Sequence, residues 1–211
     1  MIKLERTSVM NLDNAIRGMR NPMNSWEKSD SHWTYIENPE TMNKALFQFF
    51  IGENDLKLAR NLASSGGDHR KFLRQIFVSV DITAPLYWWK EFDTYKVGTV
   101  ANSCSTMHKI HAKAVERDDF SHDRLDEGGL ALLDATVAYL ECERQKFIAN
   151  KEDRQPWHNM IQMLPSSFNQ MRTVTMNYET LVNIYYARKN HKLAEWHELC
   201  GVIEEIGRAH V

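Results

Sequence analysis

The chain has 211 residues, of which 43 % are hydrophobic and 26 % are charged, and its formal net charge is -2 at pH 7. This composition is typical of a folded globular protein and excludes an intrinsically disordered chain. A nearly neutral chain has no broad basic field, so nonspecific nucleic-acid binding is excluded as its main function. Small ligands or other proteins are the expected partners.

Three sequence features predict where the protein resides. The N-terminus, MIKLERTSVMNLDNAIRG, lacks the apolar core of a secretory signal. The longest apolar run, GLALLDATVAYL, is too short to span a bilayer. The cysteines Cys104, Cys142 and Cys200 are odd in number and include no C-x-x-C pair. We therefore predict a cytoplasmic protein with no membrane contact and no disulfide framework.

The first third of the sequence predicts one strand and several short helices. Alternation in residues 2–6 predicts a strand, and a helix over residues 12–19 ends before Asn21-Pro22. Residues 24–39 are predicted to form a loop whose aromatic side chains cover the core, namely Trp26, Trp33 and Tyr35. Helices are expected over residues 40–51 and 54–63, and the second ends at Gly66 and Gly67.

The middle of the chain predicts a strand, a helix and then a polar segment. After a short helix near residues 69–74, alternating apolar residues predict a strand over residues 76–83. Pro85 then starts a helix, LYWWKEF. Its adjacent Trp88 and Trp89 are expected to face different sides, one toward the core and the other toward a pocket or subunit contact. Residues 90–108 follow and are rich in hydroxyls and amides.

Helices predominate in the second half of the sequence. Residues 117–127 predict an exposed, charged connection. A long helix over residues 130–146 has an inner stripe made of Leu132, Leu133, Val137, Leu140 and Phe147. The remaining predicted elements are a helix over 154–163, a strand over 168–177, and helices over 178–189 and 193–205. The irregular spacing of the three or four strands favours an α+β fold over a doubly wound sheet.

The chain length predicts a single domain over residues 1–205. The last six residues, IGRAHV, match one reading frame of a common sequencing-adapter DNA. We therefore interpret residues 206–211 as a non-native tail. The alternative is a genuine end of the last helix.

Motifs for several chemistries are absent from the sequence. It contains no G-x-x-x-x-G-K-[ST], no G-x-G-x-x-G and no H-E-x-x-H, which disfavours a P-loop, a Rossmann site and a zincin site. Cys104, His108 and His111 have the spacing of one helical face, but a fourth metal ligand is missing and a polar helix start is the alternative, so no metal site is predicted. His108 can also activate the Cys104 thiol, and the alternative is a buried, unreactive cysteine.

Two segments carry a resemblance to a known family. The run FVSVDITAPLYWWKEF followed by TYKVGTVANSCSTMH resembles the core of the flavin-dependent thymidylate synthases. In that family the polar part carries Arg-His-Arg, a Ser, Asn-Glu, a Ser and Arg-Tyr. The corresponding residues here are Thr94-Tyr95-Lys96, Thr99, Asn102-Ser103, Ser105 and Met107-His108.

The second segment lies near the end of the chain. LPSSFNQMRTVTMNYETLVNIYYARKNHKLAEWHEL is similar to the family's closing region, with Asn177, Asn183 and Arg188 at matching positions. A weaker likeness is HRKFLRQ, in which Arg74-Gln75 replace a Glu-His pair. Together the matching stretches cover about residues 69–110 and 164–200, roughly half of the domain.

The resemblance implies a twisted antiparallel sheet flanked by helices, assembled as a homotetramer with FAD between subunits. It implies methylation of dUMP, or a related pyrimidine nucleotide, with methylenetetrahydrofolate and NADPH as co-substrates. The implied cofactor-binding residues are Tyr95, Lys96, Asn102, Asn177 and Asn183. The implied substrate-binding residues are Thr94, Ser105 and Arg188, while the catalytic residues are unknown. Ser105 and Arg188 are expected to meet at one cavity.

The departures from the family pattern have physical consequences. Thr94 and Met107 cannot clamp a phosphate as arginine does, and Lys96 keeps one point charge. Losing two charge-assisted contacts weakens nucleotide binding by roughly a hundredfold or more unless other cations replace them. The candidate replacements are Lys90, Lys109 and Lys113.

Two alternatives stay open from the sequence. In the first, the chain is a non-catalytic family member that serves as an oligomeric binding or assembly module, with Tyr95 and Trp89 filling the cleft between subunits. In the second, it is an unrelated helical binding protein.

Overall fold

The computed structural model describes residues 2–36 and 46–209, and the side chains of residues 36, 46, 208 and 209 are left out. Within these ranges the strands are β1 (Lys3–Met10), β2 (His32–Ile36), β3 (Leu46–Phe50), β4 (Phe77–Pro85), β5 (Thr99–Ser103) and β6 (Asn169–Asn177). The α-helices are α1 (Leu12–Met19), α2 (Glu53–Ser64), α3 (Leu86–Phe92), α4 (Glu127–Ala149), α5 (Gln155–Gln162), α6 (Tyr178–Arg188) and α7 (Ala194–Ala209). Short 3₁₀ helices span Asn21–Met23, Trp26–Lys28, Lys71–Gln75 and Arg117–Asp119.

The main sheet has four strands in the order β1-β4-β6-β5. β4 and β6 are antiparallel, because the Thr175 hydroxyl donates to Ser79 while the Thr173 hydroxyl, two residues earlier, donates to Asp81, two residues later. Alternate residues of β4 are buried, as the sequence pattern predicts for a strand with one face on a core. The expectation of an α+β fold with an antiparallel sheet is confirmed.

A separate two-stranded sheet corrects two of the sequence predictions. β2 and β3 pair antiparallel, with His32 opposite Phe50. Residues 46–50 therefore form a strand and not the predicted helix, while residues 40–45 lie outside the described residues. Cross-strand aromatic pairs account for the pairing, since Trp33 packs on Phe49 with ring centroids 5.4 Å apart.

The aromatic residues of the predicted loop are not a cover for the core. Trp33 and Tyr35 lie on β2 and are 55 % and 53 % exposed. Trp26 is also exposed, and its indole N–H donates to Asn21. In contrast, Trp88 and Trp89 are both fully buried, so the prediction that one of them lines a pocket or subunit contact is wrong.

The chain divides into two compact units. The first comprises Met1–Arg6, Val80–Lys96 and Ala101–Val174, and the second comprises Thr7–Ser79, Val97–Val100 and Thr175–Val211. The division falls within each of the four strands of the main sheet. The single domain over residues 1–205 stays a prediction.

Each unit has its own hydrophobic cluster. In the first unit the buried members are Ile110, Phe120, Leu133, Leu140, Phe147 and Met160. In the second unit they are Ala15, Ile16, Met19, Phe72, Leu73 and Ile76. The inner stripe of α4 needs one correction, because Leu132 is 71 % exposed whereas Leu133, Leu140 and Phe147 are buried. These three recur every seven residues, which is about two helical turns.

The last helix is longer than the sequence pattern predicts. α7 continues through Ala209, beyond the predicted end at residue 205. The interpretation of residues 206–211 as a non-native tail stays a prediction. None of the helices in the described ranges has both the length and the apolar character needed to cross a membrane.

Candidate functional site

The polar segment after α3 begins on the end of that helix. The Thr94 hydroxyl donates to the Glu91 carbonyl at 2.7 Å, and the Tyr95 amide donates to the Phe92 carbonyl. The Tyr95 ring also lies 6.3 Å from the Phe92 ring. Thr94 and Tyr95 are therefore fixed on α3, whereas Lys96 is exposed. The chain then enters β5, an edge strand of the main sheet, where Asn102 is exposed.

A cavity of about 380 Å³ lies beyond β5 in the first unit. One side is formed by residues 104–119, which contain turns and one 3₁₀ helix. The other sides come from the start of β6 and from residues of α4 and α5. Its polar lining includes Ser105, Thr106, Lys109, Lys113, Asp118, Asp119 and Asn169, and its apolar lining includes Ile110, Leu140, Met160, Leu164 and Phe168. Of the predicted substrate-binding residues, Ser105 lines this cavity.

The cysteine and histidines of this segment do not share a helical face. Residues 104–111 form turns, so the spacing argument for a metal site and the alternative of a helix start are both wrong. In the ranges that the structure describes, no group of three His, Cys, Asp or Glu side chains can hold a metal ion. Cys104 is exposed and lines the cavity, and it is therefore not the buried thiol of the alternative reading.

Helix α4 holds one wall of the cavity through Glu141 and Arg144. Arg144 donates to both carboxylate oxygens of Glu141 at 2.7 Å, and the Val115 amide donates to Glu141 at 2.9 Å. Arg144 also donates to the His111 carbonyl at 3.3 Å. The pKa of Glu141 falls from 4.5 to about 2, chiefly because of the hydrogen bonds from Arg144. Burial alone would raise this pKa, but the bonds from Arg144, Val115 and Gln145 lower it by more. The segment that carries Lys113 is thus tied to a rigid helix.

Strand β6 fixes the other end of the segment at Cys104. The Cys104 amide donates to the Met171 carbonyl at 2.9 Å, and the Gln170 side chain donates to the Cys104 carbonyl at 2.7 Å. Ser105 follows directly, and its hydroxyl oxygen accepts the His108 amide at 2.9 Å. Ser105 Oγ therefore has a set position at the cavity and keeps its own O–H as a donor.

Arg172 sets the orientation of the Gln170 side chain. Arg172 Nε donates to Gln170 Oε1 at 3.0 Å, so the amide nitrogen of Gln170 must face Cys104. Arg172 Nη1 donates to Asp93 at 2.7 Å, and its guanidinium lies 4.1 Å from the centroid of the Trp89 ring. The Trp89 indole N–H in turn donates to the Gln170 carbonyl at 2.9 Å. Buried Trp89 is thus a support for the cavity wall.

The charges at the cavity are two lysines and two aspartates. Lys113 forms an ion pair with Asp119, whose second oxygen accepts the Glu116 amide at 3.0 Å. No carboxylate in the described part of the chain lies within ion-pair distance of Lys109. The cavity lining therefore carries one ammonium group paired with a carboxylate, on Lys113, and a second, on Lys109, without such a pair among the described residues.

The second unit contains Asn177 at the start of α6. Asn177 Oδ1 accepts the Thr180 amide at 2.9 Å, which is an N-cap interaction. The Asn177 amide donates to the Gly98 carbonyl at 3.1 Å. Gly98 has a φ of 70°, and a Cβ there would lie 2.3 Å from Asn177 Nδ2, so only glycine is accommodated. The geometry gives Asn177 a structural role, and its cofactor contact stays a prediction.

The remaining predicted residues lie further along α6. Asn183 is exposed. Arg188 is partly buried, and its guanidinium lies 4.6 Å from the centroid of the Trp196 ring. Arg74, which departs from the family pattern, joins Arg70 in pairing with Glu179 in the first turn of α6. These contacts anchor α6 on the 3₁₀ helix Lys71–Gln75 and on Arg70 just before it.

The predicted site residues fall into three groups. Ser105 lines the cavity of the first unit, and Thr94, Tyr95, Lys96 and Asn102 belong to the same unit but do not line it. Asn177, Asn183 and Arg188 belong to the second unit. Arg188 is not a lining residue of the cavity at Ser105. Their meeting at one cavity stays a prediction.

Sequence reasoning missed the residues that hold the cavity walls. Glu141 and Arg144 are three residues apart on α4, and this spacing is itself a signal for a helical ion pair. Gln170 and Arg172 are two residues apart on β6 and so share one face of the strand. Both pairs were visible in the sequence, but their partners at residues 104–115 were not.

Comparisons with known proteins find no match by sequence but clear matches by structure. No protein-family model matches the sequence, and no curated protein matches it. A crystal structure of thymidylate synthase X (ThyX) from Helicobacter pylori with FAD and dUMP is similar, with a TM-score of 0.67 and 17 % sequence identity over 97 % of this chain and 92 % of that chain. A second structure of flavin-dependent ThyX from Helicobacter pylori, complexed with FAD and dUMP, has a TM-score of 0.64 with the same identity and coverage.

This chain has the flavin-dependent thymidylate synthase fold. The likeness extends over nearly the whole chain, beyond the half that the sequence resemblance covers. The expected fold is therefore confirmed. At 17 % identity the likeness concerns the arrangement of the backbone. A shared fold does not determine which side chains form a site, so those residues follow only from the geometry of this chain.

Proposed function

We propose that the protein is a divergent flavin-dependent thymidylate synthase-like protein that binds FAD and a pyrimidine nucleotide related to dUMP. Structures of this fold hold both ligands in the ThyX of Helicobacter pylori. The observation that carries the proposal is the cavity at Ser105, which has a polar mouth and an apolar floor within that fold. Its volume of about 380 Å³ suits a small planar ligand.

The nucleotide role rests on the polar groups of the cavity. Ser105 keeps a hydroxyl donor, and its position is set by Gln170 and the Cys104 backbone. Thr94 and Arg188 complete the proposed substrate-binding set. Arg188 offers a permanent charge whose ring contact with Trp196 limits its motion.

The residues proposed to bind FAD fit the cofactor, but they offer fewer hydrogen-bond donors than the family's Arg-His-Arg pattern. Lys96, Asn102 and Asn183 are exposed and offer one ammonium and two amides, which suit phosphate and ring edges. Tyr95 offers an aromatic ring, and Asn177 offers the amide nitrogen that its helix cap does not use. By the family resemblance, bound FAD would supply a hydride, with NADPH as the reductant and methylenetetrahydrofolate as the one-carbon donor. The residues of this chain would bind and orient it.

Assembly as a homotetramer is part of the proposal. The edge strand β5 and the turn before it leave Val97 89 % and Val100 69 % exposed. In the proposed tetramer a neighbouring subunit covers these two side chains.

A non-catalytic member that serves as an oligomeric binding or assembly module is the second candidate. It is favoured by the Thr94-Tyr95-Lys96 sequence, which stands where the family has Arg-His-Arg. Thr94 and Tyr95 contact residues of α3 and carry no positive charge. Lys96 is therefore the one cation of this three-residue segment. In this candidate, side chains such as Tyr95 fill the cleft between subunits, so no nucleotide is held there and no methylation follows.

The test begins with an absorbance spectrum of the freshly purified full-length protein. The enzyme proposal predicts flavin bands, either at once or after addition of FAD, and a higher unfolding temperature with dUMP. A protein that stays colourless with FAD and shows no thermal shift with dUMP contradicts it. A homo-oligomer that binds neither FAD nor dUMP supports the second candidate, and a bound nucleotide in the cleft contradicts it.

A further inference from the structure

The cavity at Ser105 contains cations that the family resemblance does not supply. Lys109 and Lys113 are the two cationic residues among its described lining residues. They follow Met107, which is 50 % exposed and stands where the family pattern has an arginine. The sequence offers three candidate replacements for the missing charge, and the structure separates them because Lys90 does not line the cavity.

The neighbouring arginines are occupied by other partners. Arg172 contacts Asp93, Gln170 and the Trp89 ring. Arg144 is held by both oxygens of Glu141, and Arg117 pairs with Asp134. None of these three arginines lines the cavity, so Lys109 and Lys113 are the cations among its described lining residues that can meet an anion there.

The carboxylates of the cavity decide how available each lysine is. Asp119 neutralises Lys113 and is itself held in place by the Glu116 amide. The Lys113 side chain is 72 % exposed, so it can leave Asp119 without losing buried contacts. Asp118 is also exposed and adds a negative charge at the mouth. The summed charge is therefore near zero, and an anion must be bound by direct contacts and not by a long-range field.

We infer that Lys109 and Lys113 bind the phosphate group of the nucleotide, with Lys113 exchanging Asp119 for phosphate. The inference deepens the proposed function, on which the identity of the nucleotide rests. The apolar floor of Leu140, Met160 and Phe168 then receives the sugar and base. An ammonium is a flexible point donor, so two lysines on a turn supply charge without the bidentate fork of an arginine.

The experiment measures ligand affinity by isothermal titration calorimetry on the full chain. The probes are dUMP, deoxyuridine, which lacks the phosphate, and inorganic phosphate. The variants are Lys109→Met and Lys113→Met, which keep most of the aliphatic stem. The matched control is Lys90→Met, which removes the same charge from an exposed position outside the cavity.

Each cavity variant is expected to bind dUMP about tenfold more weakly and deoxyuridine unchanged, while Lys90→Met matches the wild type. Asp119→Asn provides a test of opposite sign. Asparagine still accepts the Glu116 amide but releases Lys113, so dUMP is expected to bind about threefold to tenfold more tightly. A purely structural role for the ion pair predicts weaker binding instead. Thermal unfolding of each variant shows that the fold is retained.

The outcomes separate the inference from the proposed function. If dUMP binds and the two cavity variants behave like Lys90→Met, the inference is wrong and the function stands. If dUMP does not bind but inorganic phosphate binds in a Lys109- and Lys113-dependent way, the inference stands as an anion site and the proposed nucleotide is wrong. Binding of neither ligand overturns both.

Discussion

Two polar regions of this protein differ in how completely their groups are paired. In the second unit, Arg20 and Asp55 form an ion pair in which the side chains are 4 % and 0 % exposed. In the first unit, residues 104–119 place lysines, aspartates and a serine around an open cavity. Both regions are rich in charge and hydroxyls, yet their surroundings imply different roles.

The buried pair uses nearly all of its hydrogen-bonding capacity. Besides Asp55, Arg20 donates to the Ser25 and Lys28 carbonyls at 3.2 and 3.1 Å. The second oxygen of Asp55 accepts the hydroxyls of Ser29 and Ser31 at 2.6 Å each. Burial alone would raise the pKa of Asp55, but hydrogen bonds from Ser29, Ser31 and Arg20 and the charge of Arg20 outweigh it and lower the pKa.

The cavity segment shows the opposite pattern. Its backbone is anchored at Cys104, His111 and Val115, while the side chains of Ser105 and Lys109 keep donors that no group in the described ranges accepts. Polar groups that pair fully with one another stabilise a fold, whereas groups fixed in place with donors to spare are suited to a ligand. Four substitutions test this distinction.

The largest expected effect is on the buried pair. Asp55→Ala leaves the Arg20 guanidinium buried without its counter-charge, and we expect the free energy of unfolding to fall by about 3–5 kcal/mol. Urea denaturation at neutral pH measures the change. The control is Glu5→Gln, which breaks the exposed Lys3–Glu5 pair and should change stability by no more than about 0.5 kcal/mol.

A double variant sharpens this prediction. Replacing both partners, with Arg20→Met and Asp55→Leu, removes the uncompensated charge and should recover part of the loss. A double variant that is less stable than Asp55→Ala would show that the charge itself was not the cause.

The second prediction concerns Arg172, which supports the cavity wall. Arg172→Met removes its bonds to Asp93 and Gln170 and its contact with Trp89, and should lower the free energy of unfolding by about 1–3 kcal/mol. Arg172→Lys keeps a charge but loses the planar fork, so an intermediate loss is expected. If Arg172→Lys and Arg172→Met lower the free energy of unfolding equally, the planar guanidinium and its stacking on Trp89 are the stabilising feature, and the positive charge is not. If neither variant costs stability, the supporting role is wrong.

The elements that were predicted well are those set by local pattern. α1 was predicted at its observed bounds, and the alternation of Val78, Val80 and Ile82 identified β4. The pairing of β2 with β3 was missed because the aromatic residues of LFQFF fit a helical as well as a strand pattern, and only the partner strand decides between them. β5 was missed because TVANS is an exposed edge strand and lacks the alternating apolar residues that reveal a half-buried strand such as β4.

The candidate site was predictable in composition but not in geometry. The sequence singled out Ser105 and offered three lysines, yet the helical path expected for residues 104–111 is wrong. That path is set by bonds from Gln170 and Arg144, which lie 66 and 33 residues away from their partners Cys104 and His111. Contacts over such separations follow from the assembled fold and leave no local trace in the sequence.

The third prediction uses the acid sensitivity of the wall at Glu141. A carboxyl whose pKa falls from 4.5 to about 2 on folding stabilises the native state above pH 4.5, and this contribution is lost as the pH drops toward 2. Glu141→Gln removes it, so the variant should be less stable than the wild type at pH 6. The difference should shrink as the pH falls from about 5 to 2. Urea unfolding across this range measures it, and a constant difference would contradict the assignment.

The smallest effect on stability is expected at Ser105. Among the residues that the structure describes, its hydroxyl oxygen accepts one amide, that of exposed His108. Water can satisfy this amide in the Ser105→Ala variant, so the free energy of unfolding should change by no more than about 0.5 kcal/mol. If Ser105 instead serves the ligand, dUMP affinity should fall by about fivefold, the value of one neutral hydrogen bond. Ser103→Ala, on the neighbouring exposed edge strand and outside the cavity, is the matched control. A loss of stability without a loss of affinity would place Ser105 with Asp55, among the groups that hold the fold.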